Sequence, residues 1–224
     1  MAIGRDALGG SINGGETNIA IGNYSLDANT SGDLNIGLGY VSLTQNSTGS
    51  SNVGIGNSAM QLNQTGSSNT TLGNNSMKSS LSSSYNTAVG AEALFDANRT
   101  ADTDGYNTAL GYNAGNTGTN DITTGNKNTL LGASTAASAA AGTNQTVIGF
   151  GASGTADNSV TIGNSSVTAW YPGSDDTADL GSNSVEFKDL YIDGTANLDA
   201  VDIDAGAIDG AAIGANSAST GAFT

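Results

Sequence analysis

Aliphatic residues in this chain come in pairs separated by one small residue, each pair is followed by glycine, and the phrase returns about every 17 residues. Asn18-Ile19-Ala20-Ile21-Gly22, Asn52-Val53-Gly54-Ile55-Gly56 and Asn86-Thr87-Ala88-Val89-Gly90 are three tellings of it. The glycine falls at Gly4, Gly22, Gly39, Gly56, Gly73, Gly90, Gly111, Gly132, Gly149 and Gly163, at spacings of 18, 17, 17, 17, 17, 21, 21, 17 and 14. The residue before it is always aliphatic, from Ile3 and Ile21 to Ile148 and Ile162. Three before it stands a β-branched residue in nine copies, from Ile19 to Val160, and four before it stands Asn in seven: Asn18, Asn35, Asn52, Asn69, Asn86, Asn107 and Asn128. Gln145 and Ser159 take that place later. Period-two alternation predicts a short strand with one face in a core, here with Thr87 and Val89 inward. Beyond the glycine a small residue and then a larger apolar one follow, as in Ser25-Leu26, Ser42-Leu43 and Ala59-Met60. Each repeat is therefore expected to run strand, glycine bend, second short strand and polar return loop. No helical period appears, and self-similarity at this spacing predicts a β-solenoid of about ten short coils.

A coil that offers about three apolar side chains, some only Thr or Ala, buries little surface by itself. The small residues between the core positions leave room for another backbone. Both points predict an oligomer in which several solenoids share a core, with the number of chains left open.

Composition then narrows the chemistry. Among 224 residues there are 33 Gly, one Pro, no Cys and no His. Without Cys there are no disulfides and no thiolate sites, and without His the commonest general base and transition-metal ligand are missing. A net charge of −15, with only five scattered Lys and Arg, excludes sequence-independent nucleic-acid binding. No apolar run reaches the length of a membrane span, so no membrane insertion is expected, and Met1-Ala2-Ile3-Gly4-Arg5 does not begin a signal peptide.

Asn158-Ser159-Val160-Thr161-Ile162-Gly163 resembles the head repeat of trimeric autotransporter adhesins of the YadA type. Asn86-Thr87-Ala88-Val89-Gly90 and its relatives resemble the same roll as it occurs in phage tail-fibre proteins. The resemblance covers about residues 2–165. It implies a left-handed parallel β-roll in which three chains pack around a threefold axis, hence a homotrimer. The return loops depart from the adhesin pattern, adding three or seven residues over the shortest coil.

Three segments follow from this reading: β-roll repeats over 1–168, a cap and neck or connector over 169–194, and a pentad-patterned, intertwined β fibre segment over 195–224. Trp170-Tyr171-Pro172-Gly173 holds the only Trp and the only Pro, and reads as a plug over the last coil. The stretch from Asp179 to Gly194 resembles a phage-fibre connector, with Phe187, Leu190 and Ile192 as its threefold contacts. Leu198, Ile203, Ile208 and Ile213 then stand five apart. Met1 occupies the place of the first repeat's second residue, so the chain is expected to be a segment of something longer.

The Asn column reads as a hydrogen-bond ladder in preference to a glycan site. Tyr24, Tyr40 and Tyr112, just after repeat glycines, are sugar-stacking platforms or inter-chain packing. The two longest loops, Phe95 to Tyr106 and Gly115 to Lys127, sit on consecutive coils and are expected to be neighbours. Their Arg99, Asp102, Asp104, Tyr106, Asp121 and Lys127 are the candidate receptor contacts, because recognition concentrates in loops on a rigid scaffold. Asp102-Thr103-Asp104-Gly105 is half a calcium loop without the other ligands or the terminal Glu, and Asp199, Asp202, Asp204 and Asp209 read as a solvated face. Bound Ca²⁺ is the one cofactor in view; otherwise none is expected. No catalytic base or paired-carboxylate motif marks an enzyme.

The resemblance thus implies a structural fibre of a phage virion. It would be a rigid trimeric rod that joins other virion or fibre proteins and presents or performs attachment to a host-surface glycan or protein. A bacterial trimeric autotransporter adhesin at the cell surface is the alternative, and a polysaccharide depolymerase fibre the second.

Overall fold

A computed structural model describes residues 1–10, 15–97, 105–171, 180–182 and 184–193. The chain divides into two compact units, Met1–Trp170 and Tyr171–Thr224. In the first, ten short strands form one parallel sheet stacked in sequence order. They are β1 (Ala2–Ile3), β2 (Ile19–Ile21), β3 (Ile36–Leu38), β4 (Val53–Ile55), β5 (Thr70–Leu72), β6 (Thr87–Val89), β7 (Thr108–Leu110), β8 (Thr129–Leu131), β9 (Thr146–Ile148) and β10 (Val160–Ile162). The result is a β-solenoid of about nine turns, all-β among the described residues. Every strand pairs in register with the next, so Ile19 lies over Ile36 and Val53 over Thr70. Equivalent residues therefore form columns along the rod, and a position in the repeat becomes a line on its surface.

The strands are where they were expected, but two details differ. The first is which side of the strand faces in. Ala20, Ala88, Ala109, Leu130 and Val147, the middle residues, are wholly buried, and the flanking aliphatics point out of the coil. Thr87 and Val89 are thus outward, and Ala88 is inward. The reason is space. The coil is filled by Leu26, Leu43, Met60, Met77 and Leu94 from beyond the glycine bend, all fully buried. A Cβ on Gly37 would lie 3.3 Å from Leu26 Cγ, and one on Gly54 3.1 Å from Leu43 Cγ. Where the far residue shrinks, the strand residue grows. Leu94 faces a coil with Ala109, whereas Gly115 goes with Leu130 and Ala136 with Val147. At these levels the two positions trade volume, and Ile122 is also buried beside Gly115 and Leu130, which keeps the interior filled as dense packing demands.

The second difference lies after the glycine, where a second strand was expected and turns are found. Ordinary L-residues there alternate into the left-handed region: Tyr24 and Leu26 at φ 60° and 52°, Val41 and Leu43 at 49° and 52°, Glu92 and Leu94 at 60° and 50°. That breaks strand geometry while keeping the coil-to-coil bonds. Leu26 N–H donates to the Ser42 carbonyl at 3.0 Å, and Leu43 to Ala59 at 2.9 Å. Left-handed backbone costs roughly 1–2 kcal/mol per L-residue, and a β-branched residue fits it worst. Asn75 and Asn113 hold the same place as Val41 at φ 56° and 54°. Val41→Asn is therefore expected to stabilise the protein by about 1 kcal/mol, read as a raised denaturant midpoint with an unchanged slope.

The return arm is tied by asparagine. Asn35 N–H donates to Asn18 Oδ1 at 2.8 Å, Asn52 to Asn35 at 3.0 Å, Asn86 to Asn69 at 2.9 Å, and Gln145 to Asn128 at 3.0 Å. The same side chains donate Nδ2 across the coil, Asn18 to Gly32 O and Asn35 to Gly49 O, each at 2.8 Å. A second column, Asn29, Asn46 and Asn63, bonds side chain to side chain at 2.9 and 2.7 Å. It ends where Ser80 is too short to continue, and Asn63 Oδ1 and Ser80 Oγ stay buried without a partner. Because these amides satisfy backbone groups that the thin coil removes from water, they hold the interior together as much as the apolar residues do.

In the second unit Ser182 and Val185 form an isolated antiparallel bridge, and Lys188 reaches Asp189 at 3.7 Å. Phe187, Leu190 and Ile192 are exposed by 63, 72 and 51%. Trp170, at the end of the first unit, is exposed by 78%. The pentad positions from Leu198 to Ile213 and the acidic positions Asp199, Asp202, Asp204 and Asp209 lie outside the described residues.

Candidate interaction face

The outward strand residues build one continuous face. Its persistent column is the residue before each glycine: Ile3, Ile21, Leu38, Ile55, Leu72, Val89, Leu110, Leu131, Ile148 and Ile162. Leu38, Leu72, Leu110 and Leu131 each expose between 40 and 48% of their surface. Beside it runs the β-branched column, aliphatic at Ile19, Ile36 and Val53 and then threonine from Thr70 to Thr146. In-register pairing makes the apolar column unbroken over all ten strands. An exposed apolar patch of that length marks a contact surface.

Two further columns edge this face. On one side lies the residue before each repeat Asn or its substitute, which has left-handed backbone: Leu34, Tyr85, Tyr106 and Lys127 are among them, at φ 58°, 59°, 47° and 57°. Tyr85 and Tyr106 stack, centroids 5.1 Å apart and planes 11° apart, each about half exposed. On the other side lies the residue after each glycine, where Tyr40, Tyr112 and Phe150 are more than half exposed. Tyr24 meets Tyr40 edge to face at 6.3 Å, and the Arg5 guanidinium sits 4.7 Å over the Tyr24 ring.

Of the candidate receptor contacts, Tyr106 and Lys127 share a column on consecutive coils, linked through Lys127 N–H to Gly105 O at 2.8 Å. Tyr85 joins them, a residue the repeat reading passed over. Its signal was position alone, since it precedes Asn86 as Tyr106 precedes Asn107. Asp121 is elsewhere on the coil and accepts from Gly118 N–H at 2.6 Å. Arg99, Asp102 and Asp104 lie outside the described residues.

The two long loops open at different points of their coils. In ordinary coils the N–H of Asn29, Asn46, Asn63 and Ser80 bonds the carbonyl three residues back, and Ala97 N–H does the same to Leu94 O at 3.1 Å. Ile122 makes the equivalent bond to Gly115 O at 2.9 Å, seven residues back, and is fully buried. The second insertion therefore falls before this position and the first after it, between Ala97 and Gly105. Among the described residues, no group of three or more His, Cys, Asp or Glu is placed to hold a metal ion.

Compared with models of known protein families, with curated proteins and with solved structures, the chain returns no significant match.

Proposed function

We propose that the protein is a structural fibre of a phage virion, a rigid trimeric rod that carries or performs host attachment. The observation that carries this reading is the unbroken outward column from Ile3 to Ile162. A lone chain leaves it in water, and a ring of like chains with their strand faces turned to a common axis covers it. The face runs nine coil steps, and at about 4.8 Å per step and six residues of width it offers roughly 800 Å² per chain, divided in a ring of three between two neighbours at about 400 Å² each. The resemblance of the repeats to YadA-type heads and phage fibres supports three chains, and with it a left-handed roll.

In this reading the mechanism is passive. The rod supplies reach, and three identical sides supply avidity from individually weak contacts to a host glycan or protein. Light scattering at low micromolar concentration is expected to give the mass of three 22.0 kDa chains. Leu72→Glu with Leu110→Glu, which sets charges in the apolar column, is expected to shift the protein to monomer. A stable wild-type monomer would sink the fibre reading. Host envelope polysaccharide is expected to bind without shortening; shortened chains would turn the reading to a depolymerase.

A further inference from the structure

We infer that, within the proposed trimer, one edge of the strand face on each chain docks against the opposite edge on its neighbour, level by level, with Tyr106 of one chain meeting Tyr112 of the next. This rests on the trimer reading and adds to it which residues close the ring. A ring of three cannot use self-complementary contacts, so each chain must join two different patches. The apolar column follows the stacking direction, so an axis that buries it along its length must run the same way. Rotation about such an axis involves no rise, and every coil meets its own copies at the same height.

The two edge columns are therefore partners in the assembly, and their chemistry matches at several levels but not at all of them: Tyr85 goes with Ala91 around β6, Lys127 with Ala133 around β8 and Asn144 with Phe150 around β9. Around β7 they are Tyr106 and Tyr112, both about half exposed. Around β3 they are Leu34 and Tyr40, again both large, apolar and exposed by more than half. Around β4 and β5 they are polar on both sides, Ser51 with Asn57 and Ser68 with Asn74. Within one chain the members of a pair stand six residues apart, one before the strand and one after the glycine bend. Where both members are large and apolar, as at β3 and β7, the two edges can close directly between chains. The Tyr85–Tyr106 stack then serves as a preformed aromatic step against which Tyr112 packs, the pairing that aromatic rings favour.

The chain has no cysteine, so the test needs no background changes. Tyr106→Cys with Tyr112→Cys in the full chain, oxidised or treated with a short bis-maleimide, is expected to give covalent dimer and trimer on a denaturing gel. Either substitution alone is expected to stay monomeric on that gel. Ser68→Cys with Asn74→Cys repeats the test without removing a tyrosine, and is expected to give the same bands. If light scattering shows trimer while neither double variant crosslinks, or if a single variant forms dimers, the edge pairing is overturned and the trimer stands. If the unmodified chain is monomeric, both fall together.

Discussion

Replacing Gly90 with alanine is expected to cost at least about 3 kcal/mol. Gly90 has φ 134°, where an L side chain is strained whatever the space. Its Cβ would also drive into the Gly111 carbonyl of the next coil, 2.5 Å from the carbon. The coil could yield only by lifting off the Gly111 coil, which breaks Gly111 N–H to Val89 O at 2.8 Å. Gly118 separates the two causes. It has φ 83° and nothing within 4 Å of the place a methyl group would take, so Gly118→Ala should show the dihedral cost alone, about 1 kcal/mol. Urea or thermal unfolding of both variants measures the difference. Equal losses would mean that close coil contact is not what fixes glycine at this column.

Leu94→Gly is expected to cost about 3–4 kcal/mol, since it empties a fully buried site in a coil with little else to fill it. Ala109→Leu alone overpacks the same interior and should cost about 1–3 kcal/mol. Together they recreate the arrangement one coil further on, where Gly115 goes with Leu130. The double variant is expected to lose clearly less than the sum, with a coupling above about 1 kcal/mol in a double-mutant cycle. Simple additivity would show that volume is not traded across the coil. Ala93 sits beside Leu94 as Ala114 sits beside Gly115, but Ile122 is buried beside Gly115 where Ala97 stands beside Leu94, so the recovery is expected to be partial.

That trade also explains what the sequence revealed and what it hid. The period, the strand positions and the parallel register were legible because the glycine column is invariant and an aliphatic residue precedes it each time, with a β-branched residue two places earlier in nine copies. Which face is inward was not, because alternation is symmetric: Thr87-Ala88-Val89 fits either way until the room left by Leu94 is counted. The larger residues Leu130 and Val147, arriving just where the far position falls to Gly115 and Ala136, were the available clue. The missing second strand had no comparable clue, since Val41, Leu43 and Leu94 carry no glycine-like signature for left-handed backbone; stacking imposes it. Of the candidate site, Tyr106 and Lys127 fall into line once residues are counted back from Asn107 and Asn128. The place of the second insertion could not be read, because only the burial of Ile122 in the place of Asn63 shows where it ends.

Among the described residues, the ties of the rod, from strand pairing to the asparagine bridges, run within a coil or to the adjoining one. Under tension along the axis such a rod has no long-range strap to share the load, and an end coil must peel before the next is stressed. Each peeled coil frees about seventeen residues of chain, roughly 55–60 Å, in exchange for one step of about 4.8 Å. A tether built this way would lengthen in near-equal increments and absorb work with each one, so its response to pulling is graded by the repeat and not set by a single breaking point.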